Sequence, residues 1–344
     1  MGGPSDHLRF NKSEINRAGD MLLVNPQDEF AVEVLEYWRS LHSKILSSET
    51  WGMLKFIRHF RCADSAPMQL SSRLKRAVSI IEKLSRFPSI KLSRMQDIVG
   101  LRFTYPPGLS GLQSAMDTCR KMTGTHYLLK RTTNYLETPR DSGYRAVHQI
   151  FELQSPDAPL HNGLFVEVQF RTRLQHLWAM AVETVGMFYG QALKSSRGDQ
   201  RWLDFFRLAS TLIAALEEMP AAQEYRNTTT EELRRQLRQF GNDQSFFSKL
   251  AAIRGIHERD SSGDYACWLL ELNLKKETCD VYGFTAEQIG TAHEMYAAKE
   301  QTPACLRGDM QIVLVATSSL KALRSNYPSY FLDVAEFLDT IKTI

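Results

Sequence analysis

Nowhere in the 344 residues do about 18 apolar residues run without interruption, so no membrane-spanning helix is expected. The opening Met1-Gly-Gly-Pro-Ser-Asp6 is not a basic stretch followed by an apolar one, as a secretory leader would require. No contact with a membrane and a cytoplasmic location are therefore expected. Cysteine is scarce. The five cysteines (Cys62, Cys119, Cys267, Cys279 and Cys305) are odd in number, scattered, and contain no CxxC pair, which argues against a disulfide framework and against zinc. Net charge is only +3, too little for a generic polycationic nucleic-acid binder, although a local basic groove escapes such a total. What the chain does have is length and 43% hydrophobic residues, enough for substantial cores and, by size, for two domains.

Four blocks between residues 73 and 172 carry chemistry. The first is Arg73-Leu-Lys75 with Ser79 and Lys83. From Ser71 to Arg86 the apolar residues Leu74, Ala77, Val78, Ile81 and Leu84 recur at helical spacing, which predicts one amphipathic helix ending before Pro88. Lys75, Ser79 and Lys83 then form a stripe away from the apolar face, suited to a row of phosphates and equally to a solvated surface. The second block, Asp97-Ile-Val-Gly100-Leu-Arg102, places an acid at the mouth of a short apolar strand that Pro106 and Pro107 end. Mg²⁺ bound to nucleotides takes one or two carboxylates with phosphate oxygens and waters, so such an acid can serve as a ligand.

The third block is Gly143-Tyr144-Arg145-Ala-Val-His148, where a Pro- and Gly-bearing loop leads into a strand from Val147 to Leu153. Tyr144 at the loop's edge is a flat platform for a nucleobase, with Arg145 and His148 placed to grip ribose or phosphate. In the fourth block, Glu167-Val-Gln169-Phe-Arg171-Thr172, strict alternation predicts a strand with Val166, Val168 and Phe170 on one face and Glu167, Gln169 and Arg171 on the other. Glu167 is the candidate second metal-facing carboxylate and base toward an attacking hydroxyl.

In order and spacing, RxKxxxSxxxK, DIVGLR, GYRxxH and ExQxRT resemble the RelA/SpoT-type synthetases, which move a pyrophosphate group from ATP onto a ribose hydroxyl. The resemblance implies ATP as donor, held by Arg73, Lys75, Ser79, Lys83 and Arg102. It also implies Mg²⁺ with Asp97 and Glu167 as metal-binding and catalytic carboxylates, and an acceptor base stacked on Tyr144 with Arg145, His148, Gln169 and Arg171 nearby. The stretch before Arg73 is too short for the hydrolase module of the long family members, so either another protein is expected to remove the product or the enzyme is expected to stay silent until triggered. The loop Pro139-Arg140-Asp141-Ser142-Gly143 departs from the Lys and Asn usual in alarmone makers.

The helix-like Phe30 to His42 segment and the last ninety or so residues resemble toxic small synthetases of the CapRel type, which fuse a synthetase to its own antitoxin. That likeness implies pyrophosphate transfer to the 3′ end of tRNA, inhibition of translation, self-restraint, and release by a phage protein such as a capsid protein. GDP or GTP is the alternative acceptor, and a catalytically silent nucleotide- or RNA-binding module the third possibility. Candidate tRNA contacts are Arg39, Lys44, Arg120, Lys121, Lys130 and Arg131, which are also the kind of residues that merely face solvent. Tyr327 and Tyr330, flanking a Pro turn, are candidates for blocking the adenine site, or for packing beneath the last helix.

Further on, helices are expected through Leu174 to Val185, Trp202 to Leu212, and after Thr228, and a capping box at Thr285-Ala-Glu-Gln288. The expected fold is α/β: a nucleotidyltransferase-like mixed sheet flanked by helices, with a small C-terminal module resembling a zinc finger that has lost its metal. The expected boundaries are 1–205 for the synthetase, 206–252 for a helical connector, and 253–344 for the regulatory module.

Overall fold

A computed structural model of the chain describes residues 8–48, 68–106, 108, 112–113, 116–117, 120, 126–154, 156, 159–188, 193, 196, 198–241, 265–273, 276, 278–307, 309–316 and 334–343. Tyr327, Tyr330 and Lys121 lie outside the described residues.

Eight strands form one mixed sheet. They are β1 (Gln69–Leu74), β2 (Val99–Tyr105), β3 (Tyr127–Asn134), β4 (Val147–Leu153), β5 (Phe165–Thr172), β6 (Cys267–Asn273), β7 (Thr278–Phe284) and β8 (Met310–Ala316), in spatial order β3-β4-β5-β2-β1-β8-β6-β7. β2 and β5 are parallel and every other pair is antiparallel. The mixed α/β fold expected from the sequence is present. The residues expected to make a separate C-terminal module contribute β6, β7 and β8 to the same sheet, through a short pairing of β8 with β1 at Ser72–Ala316 and Arg73–Val315.

Alternation along the strands sorts side chains into two layers. On one face Val99, Leu101, Phe103, Val166, Val168, Phe170, Val147 and Phe151 are buried with the N-terminal helices α1 (Lys12–Val24) and α2 (Glu29–Ser48) and with α3 (Ala77–Arg86). Phe103 and Phe170, paired in register, stack with centroids 5.3 Å apart. α1 starts at a capping box in which Asn11 accepts from Ser13 and Glu14 amides while Glu14 reaches back to the Asn11 amide, satisfying donors that the first helical turn leaves without partners.

The other face divides in two. Over β6 and β8 it is apolar, with Trp268, Leu270, Leu272, Val313 and Val315 buried among α4 (Arg173–Phe188), α5 (Gln200–Leu216), α6 (Thr230–Gly241) and α9 (Ala335–Thr343). Over β2, β4 and β5 it carries the polar residues considered below. Between β7 and β8 lie α7 (Ile289–Glu300), entered through the expected Thr285–Gln288 capping box, and the single turn α8 (Pro303–Leu306).

One helix expected from the sequence is replaced in part. Gln69 to Leu74 is strand β1, paired along its length with β2, and only Ala77 to Arg86 is helical. Leu74 fits the helical period of its neighbours by coincidence, and its pairing with Val99 of β2 decides its conformation.

Candidate active site

Register assembles the site. Arg73 lies opposite Gly100, Gly100 opposite Glu167, and Glu167 opposite Ile150; one step along, Ser71, Arg102, Gln169 and His148 form the next row of the same face. The expected stripe of cations along one helix therefore does not exist. Arg73 comes from a strand, Lys75 from the turn that follows it, and Ser79 and Lys83 from α3. Gly100 leaves a gap in its row, since a Cβ there would meet only Arg73 Cγ, at 3.8 Å.

Asp97, in the turn before β2, accepts from Lys75 Nζ at 3.1 Å and from Lys83 Nζ at 2.7 Å. Burial pushes its carboxyl up, but the two ammonium groups outweigh burial and hold it below the usual carboxylate range, with Glu167 opposing them. Burial pushes the Lys75 ammonium down, an effect that Asp97 counters and that Arg73 and Lys83 reinforce.

Glu167 ends two arms of hydrogen bonds that both start at Arg171. Along one arm Arg171 Nη2 donates to Gln169 Oε1 at 2.9 Å, and Gln169 Nε2 donates to Glu167 Oε2 at 2.6 Å. Along the other, Arg171 Nη2 donates to the Tyr144 hydroxyl at 2.6 Å, that hydroxyl meets His148 Nε2 at 2.8 Å, and His148 Nδ1 meets Glu167 Oε1 at 2.9 Å. Each carboxylate oxygen so has one donor and keeps lone pairs for another partner. Burial works against the ionised form, yet His148, Gln169 and the charge of Arg73 hold Glu167 far below the usual carboxylate range. Burial likewise lowers His148, but Tyr144 and Glu167 more than compensate and raise it above the ordinary imidazole value.

Asp97 and Glu167 thus lie near each other at one end of β2, near enough for the charge of Glu167 to act on the Asp97 carboxyl. A pair of carboxylates with free acceptor capacity fits an ion that completes its shell from phosphate oxygens and water. Among the described residues no cluster of three or more His, Cys, Asp and Glu side chains comes together as a metal site. Cys267 and Cys305 are buried free thiols.

Several expected positions are corrected. Tyr144 is 3% exposed and enclosed by Tyr135, His148, Trp178 and Arg171, so it is no open platform. Gly143 brings it inward: φ is +87°, and a Cβ would sit 3.1 Å from the α5 backbone at Arg207 and 3.3 Å from Trp178, room that only glycine leaves. Arg145 lies on the opposite face from Glu167, buried, donating to the Leu136 carbonyl at 2.9 Å. Arg171, expected on a working surface, is buried beneath that surface.

The tRNA candidates do not gather. Arg39 is 1% exposed and ion-paired to Glu36 and Glu300, which removes it from any surface role. Lys44 is exposed on α2, Arg120 pairs with Asp117, Lys130 with Glu152, and Arg131 donates to Gln96. Sequence reasoning gave no role to Tyr135 and Arg140. Arg140 stacks over the Tyr135 ring at 4.4 Å and lies 5.3 Å from that of Tyr144, forming the outer rim of the aromatic group. Their position in the loop leading to Tyr144 was the available signal.

Residues 72–190 match the family described as the region found in RelA / SpoT proteins. Among curated proteins the chain is similar to the GTP diphosphokinase CRSH1, chloroplastic, of Oryza sativa subsp. japonica, with 27% identity over 173 residues, 46% of this chain and 28% of that protein. It is also similar to the GTP pyrophosphokinase YjbM of Bacillus subtilis strain 168, with 26% identity over 133 residues, 37% of this chain and 60% of that protein. The chain therefore spans less than two thirds of the length of either relative. Among solved structures it is similar to the small alarmone synthetase 1 from Bacillus subtilis bound to its product pppGpp, at a TM-score of 0.42 and 22% identity, covering 52% of this chain and 89% of that one.

Proposed function

We propose, from the match of residues 72–190 to the region found in RelA / SpoT proteins, that this face transfers the pyrophosphate group of ATP to a ribose hydroxyl. The observation that carries the reading is the convergence of Asp97, in the turn before β2, and Glu167, on β5, beside Arg73, Lys75 and Lys83. Arg73, Lys75, Lys83 and Arg102 offset the charge of the triphosphate, with Ser79 beside them on α3. The gap at Gly100 gives it room. Mg²⁺ held by Asp97 and Glu167 would neutralise phosphate charge and orient the triphosphate.

In the reaction the acceptor's hydroxyl oxygen forms a bond to the β-phosphorus of ATP as the bond from that phosphorus to the α-bridging oxygen breaks, releasing AMP. Glu167 takes the hydroxyl proton. Tyr144 acts from beneath by holding His148 against Glu167. The accessible ring for an acceptor base is Tyr135, with Arg140 above it.

A guanine nucleotide is the acceptor we favour, because both curated relatives are named as acting on GTP. The 3′ end of tRNA is the second reading, supported by the loop Pro139-Arg140-Asp141-Ser142-Gly143, which departs from the Lys and Asn usual in that loop of alarmone makers. Restraint by the C-terminal region has one support, the pairing of β8 with β1 directly beside Arg73. Release by a phage protein and a role in defence rest on the resemblance alone. Incubation with γ-³²P-labelled ATP and either GDP, GTP or bulk tRNA tests the proposal: label on nucleotide or on RNA, with equimolar AMP, supports it and picks the acceptor. Label leaving ATP only as free phosphate or pyrophosphate would contradict it.

A further inference from the structure

The turn that presents Lys75 is tied down from outside the site. Arg39, on α2, donates from Nε to the Lys75 carbonyl at 3.2 Å. Its Nη1 pairs with Glu36 at 2.6 Å and Glu300 at 2.8 Å, and its Nη2 donates to the Tyr296 hydroxyl at 2.7 Å. Glu300 Oε1 accepts from the Ala77 amide at 3.3 Å. Ala77 opens α3, whose N-cap Arg76 makes no side-chain capping bond. Arg76 instead donates from Nη1 to Gln311 Oε1 at 2.7 Å. Three consecutive residues, 75 to 77, are thus each held by α2, α7 or β8.

A carboxylate at a helix N-terminus answers an orphan amide and favours the helix dipole. Here that carboxylate comes from more than two hundred residues away in sequence, and the helix it caps carries Ser79 and Lys83. Burial pushes Glu300 up, with Arg39 pulling against it.

We propose that Arg39 and Glu300 are positioning residues for donor binding: they fix the Lys75–Ala77 turn so that Lys75 and Lys83 converge on Asp97, making α7 a structural part of the donor site. This rests on the reading of that face as the ATP site. Neither residue touches the donor.

The test is calorimetric titration of the full chain with Mg²⁺ and a non-hydrolysable ATP analogue, beside its melting temperature. Glu300→Ala is expected to weaken donor binding about tenfold, the scale of a lost cap at a binding element. Glu300→Gln should stay within about threefold of wild type, because its amide oxygen can still accept from Ala77 while Arg39 keeps Glu36. That rescue is what a purely structural ion pair would not give. If Glu300→Ala does not fold, the double variant Arg39→Met/Glu300→Met replaces a buried pair by apolar groups, which commonly preserves folding, and removes both ties. It should show the same loss. Wild-type affinity in these variants, or Glu300→Gln as weak as Glu300→Ala, overturns the positioning role. Lys75→Ala is the control: weakened binding there with intact binding in Glu300→Ala sinks the positioning role alone, whereas intact binding in Lys75→Ala sinks the donor-site reading with it.

Discussion

One register row runs from Trp268 through Val315, Arg73 and Gly100 to Glu167, and its two ends do opposite things on the same face of the same sheet. At the Trp268 end the face is apolar and covered by helices; at the Glu167 end it is polar, ionised and interrupted by a glycine. The covered half gains stability from area removed from water. The polar half spends part of that gain on desolvated carboxylates and ammonium groups, tolerated because each is answered by a partner. The proposed site lies where the covering stops, from Arg73 on β1 across Gly100 on β2 to Glu167 on β5.

The sharpest way to break the contrast is at Glu167. Glu167→Gln should lower pyrophosphate transfer by about a thousandfold, as loss of a preorganised charge at the reacting group does, with the chain still folded in denaturant titration. Trp268→Ala should do the reverse, destabilising the chain by about 3–5 kcal/mol through cavity formation, read from the same denaturant curves. If Trp268→Ala instead spared stability and abolished transfer, the division of labour would be wrong. Gly100→Leu should fold, since little stands within reach of its Cβ, but lower affinity for an ATP analogue by roughly tenfold, measured by calorimetry.

The smallest expected effect concerns pH. His148 is raised above its ordinary value, so the stability it adds is full below about pH 6.5 and is lost as pH rises through the raised value. Glu167 is depressed, so its share is full above about pH 4.5 and is lost as pH falls further. The wild-type melting temperature should therefore drop between pH 6 and pH 9 by a few degrees more than that of His148→Gln. Equal slopes would remove His148 from the account.

The sequence spoke clearly wherever local pattern and tertiary burial agree. The alternation of β5, the bounds of β4, the helices beginning near Leu174 and Trp202, and the Thr285–Gln288 capping box all reappear in the structure. It misled where non-local partners decide. Leu74 belongs to a strand because β2 pairs with it through Val99. Tyr144 is buried because α4 and α5 close over the Gly143 turn, and nothing in the loop's own residues announces that cover. Arg39 reads as a surface cation until Tyr296 and Glu300 arrive from the far end of the chain. Arg145 is drawn away from the site by the Leu136 carbonyl, a partner that its own motif does not announce.

The most direct measurement is a crystal structure of the full chain soaked with Mg²⁺ and AMPCPP. The triphosphate should lie across the gap at Gly100, within hydrogen-bonding reach of Arg73, Lys75 and Lys83, with the ion between Asp97 and Glu167. A triphosphate bound elsewhere, with the Lys75–Asp97–Lys83 bonds undisturbed and Glu167 remote from the ion, would contradict the account.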